Sequence, residues 1–500
     1  MEIRVLKEDV TKVETPALIV NLFEGVKSPG GATGAVDKAL DGAISRLIDE
    51  GEIKGKSGEL TLLHTFGRIP PARVLVAGLG KEESFNVNTV REVTGHACRF
   101  LRGKGISSVC TIAHGAGVAG MDPTSSGQAI AEGAILGLYR FRQYVDQPEG
   151  EADVERFTIV EGSADKITAL QEGVRVGRIA AEGASLTRDM ANEPANVMTP
   201  TRMSEIARQV ADTEGLDIQV LDREDMESMG MGALLGVAKG SRQPPKLIVL
   251  KYNGDPDNPS DNLGFIGKGI TFDTGGISIK PAGGMENMKG DMTGGASVIG
   301  ALQALARLGP KINITGVVPA TENMPGGEAQ RPGDVVRAMN GKTIEVINTD
   351  AEGRLVLSDA MVYARRHGVS RMVDIATLTG AIVVSLGKIC TGVMGNDQVL
   401  VDKVIAAGNS AGEKMWQLPM FDEYKEQLKS NVADMMNVGG RDAGSITAAK
   451  FLSEFAEGAP WVHLDIAGTY RSDANKGYMV KGSSGVPVRT LINLALAEAS

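Results

Sequence analysis

Cysteine is scarce in this sequence, and its distribution excludes two kinds of structural site. The three cysteines, Cys98, Cys110 and Cys390, lie far apart and form no CxxC pair. An odd number of scattered cysteines does not build a disulfide framework, and a zinc site made of thiolates needs paired cysteines. We therefore expect free, buried thiols in a reducing compartment.

Histidine and positive charge are also limited, which excludes further classes of protein. The chain has five histidines, none of them in the HExxH spacing of many zinc proteases. Its 62 acidic residues outnumber its 52 lysines and arginines, so the formal net charge at pH 7 is -10. Surfaces that bind nucleic acid are usually basic, and nucleic acid is therefore not the expected partner.

Long apolar segments are absent as well. A membrane-spanning helix needs about 18 consecutive apolar residues, whereas the stretch 375–394 is interrupted by polar residues and by Lys388. The first ten residues carry charges throughout and lack the apolar core and cleavage site of a secretory signal. We expect a cytoplasmic protein that does not enter the membrane.

The length of the chain predicts two α/β domains. Its 500 residues exceed the roughly 250 to 300 at which a single hydrophobic core stops growing. Short β-rich runs alternate with amphipathic helical stretches on both sides of a proline-free helical segment, which is typical of βαβ units. We predict an N-terminal α/β domain (1–163), a linking helix (164–191) and a larger C-terminal α/β domain (192–500) with a central mixed sheet. Strands are predicted in the larger domain at 246–252, 263–266, 312–318, 343–347, 372–375 and 461–466.

Charged residues follow several of these predicted strands. They are Lys268, Asp273, Lys280, Asp291, Asp350, Glu352 and Arg354. Asp350 and Glu352, two positions apart on what we interpret as an extended strand end, should project to the same side. Four carboxylates in one cleft would repel each other strongly, and two divalent cations would supply the compensating charge. The sequence therefore predicts a two-metal site at one edge of a sheet.

A structural interpretation of the same segments stays open. Thr349 to Glu352 fits the S/T-x-x-E capping box before a helix that starts near Gly353, and the DTGG sequence from Asp273 favours a turn. Taken singly, each motif is more often a cap or a turn than a set of ligands. The convergence of several such segments favours the metal site.

A serine hydrolase is the alternative enzyme. The GNSAG sequence at 408–412 fits the GxSxG pattern, with Ser410 as nucleophile and His463 later in the chain, if an aspartate such as Asp434 completes the triad. A nucleophile elbow must follow a buried strand, whereas residues 401–407 are predicted to be helical. This context makes the serine hydrolase the weaker alternative.

The charged segments resemble the leucyl aminopeptidase family of cytosolic metallopeptidases. NTDAEGRL at 348–355 is similar to the signature octapeptide of that family at every position, and the likeness runs from about Asn192 to the end of the chain. The resemblance implies an aminopeptidase that releases N-terminal residues, preferentially Leu and other apolar residues, from peptides. It also implies a macro-domain-like fold for the N-terminal domain and a homohexamer. Some bacterial relatives also bind DNA, so a DNA-binding module is a second alternative that the acidic composition disfavours.

The resemblance further implies a set of metal ligands. One metal would be held by Asp273, Asp350 and Glu352, and the second by Lys268, Asp273, Asp291 and Glu352. Ligands of this kind suit two Mn²⁺ or Zn²⁺ ions, and also Mg²⁺. The amine of Lys268 ligates only when neutral, so the metals would have to lower its pKa.

Catalytic and substrate-binding roles are implied in the same way. Lys280 would polarise the scissile carbonyl and stabilise the gem-diolate, and Arg354 would hold a bicarbonate that relays the proton of the attacking water. The substrate pocket would be lined by Met288, Asn348, Thr377 and Gly380. An apolar first residue such as Leu would fit it.

Overall fold

The computed structural model describes residues 1–118, 120–146 and 152–499. The chain divides into two compact units, Met1–Glu182 with Asp473–Lys481 and Gly183–Ser472 with Gly482–Ser500. The division falls inside the long helix Ile167–Asn192. The domain boundaries predicted from the sequence stay predictions. Among the described residues, no helix combines the length and apolar character needed to cross a membrane.

The first unit contains a six-stranded sheet in its described residues. The strands are β1 (Glu2–Lys7), β2 (Ala17–Phe23), β3 (Leu60–His64), β4 (Arg73–Gly80), β5 (Ser108–Ile112) and β6 (Arg156–Glu161). They lie in the order β1-β6-β5-β2-β4-β3, and only β3 runs antiparallel to its neighbour. The mostly parallel sheet that the alternation predicted is therefore present.

Helices cover both faces of this sheet. They are α1 (Gly31–Ala39), α2 (Ala43–Asp49), α3 (Val87–Arg102) and α4 (Pro123–Leu138), with 3-10 turns at Glu82–Ser84 and Ala164–Lys166. Leu18 and Val20 pack with α1 and α2, whereas Ala17 and Ile19 pack with α3 and α4. This alternation explains why β2 is apolar at successive positions, since both of its faces are buried.

The second unit has a larger mixed sheet, as predicted. Its strands are β7 (Asp217–Leu221), β8 (Lys246–Asn253), β9 (Asn262–Gly267), β10 (Gly269–Asp273), β11 (Asn313–Asn323), β14 (Arg371–Ala376), β15 (Thr391–Gly395), β16 (Met415–Gln417) and β18 (Trp461–Asp465). The order is β16-β15-β18-β14-β9-β11-β8-β7, with β10 also paired to β11. The five strands β18, β14, β9, β11 and β10 run parallel, so their carboxyl ends share one edge.

Short strands and helices complete this unit. A three-stranded sheet is formed by β12 (Val335–Arg337), β13 (Thr343–Glu345) and β17 (Met435–Met436), and a hairpin pair by β19 (Arg471–Ser472) and β20 (Gly482–Ser483). The long helix Ile167–Asn192 is α5, and the helices after it are α6 (Pro200–Glu214), α7 (Arg223–Ser228), α8 (Gly232–Ala238), α9 (Thr293–Leu308), α10 (Gly353–Arg366), α11 (Gly380–Leu386), α12 (Gln398–Ala411), α13 (Gly444–Ser453) and α14 (Val488–Glu498). Two 3-10 helices lie at Met285–Gly290 and Asp422–Leu428.

Close packing of two helices in the second unit depends on glycine. A Cβ atom at Gly300 of α9 would lie 2.4 Å from the carbonyl oxygen of Gly183 in α5, which is far inside van der Waals contact. The adjacent Thr187 hydroxyl donates a hydrogen bond to the Ala296 carbonyl at 3.0 Å. The two helices therefore approach with their backbones almost touching.

We predict that Gly300→Ala lowers the stability of the second unit by about 1–3 kcal/mol, because α5 and α9 must move apart or distort. Gly327→Ala is the matched control, since a Cβ there meets nothing within 4 Å. Thermal melting followed by circular dichroism should show a lower midpoint for Gly300→Ala only. Equal midpoints in the two variants would contradict the packing argument.

Candidate metal centre and active site

The charged residues predicted from the sequence meet at the carboxyl edge of the larger sheet. Lys268 lies between β9 and β10, and Asp273 is the last residue of β10. Asp291 follows the 3-10 helix that precedes α9, whereas Asp350 and Glu352 lie between β13 and α10. Parallel strands end at the same edge of a sheet, so these loops meet although they are distant in sequence.

Two details of the sequence-based interpretation are wrong. Asp350 lies in a turn and not on an extended strand end, because β13 already ends at Glu345. The capping box between Thr349 and Glu352 does not form, because the start of α10 receives no hydrogen bond from a capping side chain. The Thr349 hydroxyl instead donates to the carbonyl oxygen of Gly275 at 2.7 Å. This segment therefore holds the charged cluster together and does not cap the helix.

Three carboxylates form the centre of the cluster. Asp273, Asp350 and Glu352 can each place an oxygen within 4.8 Å of the other two. Asp273 and Glu352 are both 2% exposed, so water offsets little of their mutual repulsion. Asn323, at the end of β11, donates from Nδ2 to Asp273 Oδ1 at 2.8 Å and to the Thr349 carbonyl at 3.0 Å. The sequence analysis missed this amide, which joins two of the converging loops.

Lys268 pairs with two carboxylates at once. Its Nζ lies 2.7 Å from Asp291 Oδ2 and 2.7 Å from Glu352 Oε1, and all three side chains are buried. A Cβ at Gly353 would lie 2.7 Å from Lys268 Cε, so a glycine is needed there for the lysine to reach the cluster. The role of Gly353 in the structure is to admit this side chain.

Lys280 joins the other side of the cluster. Its Nζ lies 2.8 Å from Asp273 Oδ2 and also contacts the Asp350 carboxylate. Its side chain is 21% exposed, so it borders solvent where Lys268 does not. Burial alone would lower the pKa of Lys280, but the nearby carboxylates, Asp273 foremost, outweigh this effect and raise it. The ammonium therefore stays charged beside the central carboxylates.

Electrostatic repulsion is visible in the acidic groups. Burial and the neighbouring Asp273 and Glu352 carboxylates raise the pKa of Asp350 to about 6. Burial raises the pKa of Asp291 well above its ordinary value, despite the opposing effect of Lys268. Burial would lower the pKa of Lys268, yet the surrounding carboxylates raise it. The charge of the two lysines thus offsets part of the negative charge of the cluster.

The donor set fits divalent metal ions. Asp291 Oδ2 and Asp350 Oδ1 are buried and accept no hydrogen bond of regular geometry from the described residues, although each lies beside a lysine ammonium. Both oxygens therefore have a cation as their nearest partner, and a divalent ion could take the same place. Carboxylate oxygens with one amine suit Mn²⁺, Mg²⁺ or Zn²⁺.

Comparison with known proteins decides the family. The profile described as "Cytosol aminopeptidase family, catalytic domain" matches residues 185–492, and that of the family's N-terminal domain matches residues 19–148. This chain belongs to the cytosol aminopeptidase family. It is a metallo-aminopeptidase that acts on peptides, and the family resemblance inferred from NTDAEGRL is confirmed.

The similarity to individual relatives extends over almost the whole length of the aminopeptidase. A probable cytosol aminopeptidase of Solibacter usitatus is 49% identical, with 99% of both chains covered. A tomato leucine aminopeptidase mutant superposes with a TM-score of 0.88 at 32% identity, covering 99% of this chain and 96% of that one. The bottromycin maturation enzyme BotP in complex with Mn has a TM-score of 0.86 at 34% identity, covering 97% and 100%.

Arg354 occupies the first turn of α10 in the aminopeptidase. Its guanidinium is buried, and Nη1 donates to the Asn437 carbonyl at 2.8 Å. Nε is buried without a hydrogen-bond partner among the described residues, which leaves a donor for an anion. Burial lowers the pKa of Arg354 to about 10, so the group is still positively charged at neutral pH.

The predicted pocket residues lie near the cluster on several loops. Thr377 follows β14, and its hydroxyl donates to Asp291 Oδ1 at 2.6 Å. The Asn348 side chain accepts a hydrogen bond from the backbone N–H of Asp350 at 2.9 Å. Gly380 begins α11, and a Cβ there would meet nothing within 4 Å. Met288 lies in the 3-10 helix before Asp291 and is partly exposed.

Asn437 is a second polar residue that the sequence analysis missed. It is fully buried, and its Nδ2 donates to the Asn348 carbonyl at 2.7 Å while its Oδ1 accepts from the Ile347 backbone N–H at 2.8 Å. Together with its bond to Arg354, this residue fixes the signature octapeptide at both ends. No motif surrounds it, so only its position in the fold reveals this role.

The geometry of a serine hydrolase is not formed. Ser410 lies within α12 and not in a turn after a strand, and its hydroxyl donates to the Ala406 carbonyl at 3.1 Å. His463 is fully buried on β18, where Nδ1 pairs with Asp374 at 2.6 Å. The proposed third member, Asp434, instead accepts hydrogen bonds from Thr343.

A cavity of about 880 Å³ lies in the first unit. It opens at the ends of β1, β2, β5 and β6, and none of the predicted site residues lines it. The volume of this cavity alone does not indicate that peptides are hydrolysed there. The charged cluster of the second unit lies in the part of the chain that matches the family's catalytic domain, and it is therefore the candidate active site.

Proposed function

We propose that this aminopeptidase binds two divalent metal ions in the charged cluster and releases N-terminal residues from peptides, preferentially Leu and other apolar residues. The observation that carries this proposal is the convergence of four carboxylates on Lys268 and Lys280 at one sheet edge. Each lysine ammonium lies beside two acidic groups. An added cation would be most favourable at the same positions, because the same negative charge attracts it. The same lysines and acids fit the spacing that the family resemblance implies.

The proposed ligand sets share two bridging residues. One metal is assigned to Asp273, Asp350 and Glu352, and the other to Lys268, Asp273, Asp291 and Glu352. The proximity of the three carboxylate oxygens supports the first set, and the 2.7 Å distances from Lys268 to Asp291 and Glu352 support the second. The manganese complex of BotP supports Mn²⁺ as one candidate, and Zn²⁺ is the other. When bound, the ions would lower the pKa of the attacking water and stabilise charge on the carbonyl oxygen.

Lys280 and Arg354 are proposed to take part in the reaction. The ammonium of Lys280 is partly exposed and kept charged by its carboxylate neighbours, so it is placed to donate to the substrate carbonyl as negative charge develops. Arg354 offers the unused Nε to a bicarbonate, the proton carrier that the family resemblance implies. Both roles use positive charge that is already present in the metal-free protein.

The substrate pocket is proposed to favour an apolar first residue. Met288 supplies an apolar wall, and Gly380 leaves open space where any other residue would add a side chain. The Thr377 hydroxyl donates to Asp291, and Asn348 Oδ1 accepts from the Asp350 backbone N–H. With those polar groups occupied, the pocket would accept Leu more readily than a charged side chain.

We also propose a cytoplasmic homohexamer, on the basis of family membership. Several large apolar side chains of the second unit are well exposed in the single chain, including Ile279 (64%), Val384 (89%) and Val432 (68%). We propose that side chains of this kind are covered by neighbouring subunits. The DNA-binding alternative gains no support from the net charge of -10.

Chelation should abolish hydrolysis of leucyl amides by this aminopeptidase, and Mn²⁺ or Zn²⁺ should restore it, because the carboxylate cluster holds the ions that activate water. Activity is measured after dialysis against a chelator and after addition of each metal separately. A serine-directed fluorophosphonate is the control and should leave activity unchanged. Full activity in metal-free protein, or inactivation by labelling of Ser410, would contradict the metal mechanism.

Replacing Lys268 should remove one metal only. Arginine keeps the positive charge but does not deprotonate readily, so Lys268→Arg should lose the second metal and retain the first. Lys280→Arg is the matched control and should keep both metals while slowing turnover by an order of magnitude or more. Metal content per chain, measured by inductively coupled plasma mass spectrometry, distinguishes the two variants.

The metal content per chain should also depend on pH. Carboxylates raise the pKa of Lys268, so binding of the second metal must release a proton, and its affinity should fall as the pH drops. Two metals per chain in Lys268→Arg would show that this lysine is not a ligand.

A further inference from the structure

Asp465 lies behind the active site with its carboxylate fully occupied. It is the last residue of β18, is completely buried, and pairs in register with Ala376 at the end of β14. Its Oδ1 accepts hydrogen bonds from the backbone N–H groups of Leu378 (3.2 Å) and Thr379 (3.4 Å), and its Oδ2 accepts from the Thr379 hydroxyl at 2.6 Å. One side chain therefore fixes the turn that follows β14.

That turn controls the residue before it, Thr377. The Thr377 hydroxyl donates to Asp291 Oδ1 at 2.6 Å, which leaves Oδ2 as the oxygen beside Lys268 Nζ. Asp291 Oδ2 is the buried atom that lacks a regular hydrogen bond. Thr377 thus determines which oxygen of Asp291 is available as a ligand.

Thr377 also acts on Lys268. Its carbonyl oxygen accepts a hydrogen bond from Lys268 Nζ at 3.2 Å, whereas the two closer oxygens belong to Asp291 and Glu352. A neutral amine has a single lone pair, and the direction of its N–H bonds decides where that lone pair points. The Thr377 carbonyl is an uncharged acceptor that would keep one N–H bond turned away from the carboxylates.

Strands β14 and β18 hold a second buried aspartate, Asp374. Asp374 accepts from Trp461 Nε1 at 2.6 Å and pairs with His463 Nδ1 at 2.6 Å. Asp374 is as deeply buried as Asp465, but its bonds go to β18 and not to the turn after β14. The two aspartates are equally buried, but they bind different segments: Asp465 binds the turn after β14, and Asp374 binds side chains of β18.

We propose that Asp465 is a positioning residue for the second metal site: it fixes the turn at 377–379, and Thr377 in turn orients Asp291 and Lys268 towards the metal. This inference rests on the proposed two-metal function. Groups that orient metal ligands without touching the metal commonly change affinity by about 10–100-fold when they are removed. The effect is expected at the second site, because Thr377 hydrogen-bonds Asp291 and Lys268, which belong to the second ligand set alone.

The test is a binding titration with Mn²⁺ on full-length, metal-free protein, in which bound metal is counted after equilibrium dialysis. Wild type should show two sites per chain. In Asp465→Asn, affinity at the second site should fall at least about tenfold while the first stays within about twofold. Thr377→Val should reproduce this selective loss, and Thr377→Ser, which restores the hydroxyl, should recover it.

Asp374→Asn is the matched control, since it removes the same charge from an equally buried carboxylate. It should lower the melting temperature but leave both metal affinities unchanged. The proposal would be overturned if Asp465→Asn bound both metals as tightly as wild type, or if it weakened both sites equally. The same selective loss in Asp374→Asn would also overturn it. Should Asp465→Asn not fold, Thr379→Val decides by the same criteria, because it removes the hydroxyl bonded to Asp465 Oδ2. Fewer than two sites in wild type would instead refute the proposed function.

Discussion

Repulsion among buried carboxylates is the constraint on which this structure depends. Asp273 and Glu352 are almost inaccessible to water and face Asp350 across a few ångströms. Lys268 and Lys280 offset the repulsion, each by pairing with two acids. Such an arrangement costs free energy of desolvation, which is recovered only where counter-charge is close. A site of this kind favours added cations over solvent.

The fold meets this constraint by holding the charged residues in fixed positions at one edge of the larger sheet. The parallel strands β9, β10, β11 and β14 end at one edge, and buried polar groups at those ends hold the loops in place. Gly353 lets the Lys268 side chain pass, and the amides of Asn323 and Asn437 tie separate segments together. The first unit contributes none of the proposed ligands. Its sheet and helices form cores of their own.

The sequence identified the charged residues that converge in the structure better than it identified the residues that support them. Asp350, Glu352 and Arg354 are neighbours in the chain, so a short motif reveals them together. Asn323 and Asn437 act through tertiary contacts, and a single buried amide at a strand end leaves no periodic pattern. Asp350 was wrongly placed on a strand end because acids at alternate positions project to the same side of a strand. The same spacing fits a turn equally well, and the structure has a turn there. The central strands were predicted from continuous apolar runs, whereas β10 begins with glycine and was missed.

The central claim is that one cluster holds two metals through shared carboxylates. Anomalous diffraction from crystals grown with Mn²⁺, recorded above the manganese absorption edge, tests it directly. Two peaks per chain are predicted, both in contact with Asp273 and Glu352, with Lys268 Nζ beside one of them and Asp350 beside the other. A single peak, or peaks away from these residues while Lys268 still pairs with Asp291, would contradict the account.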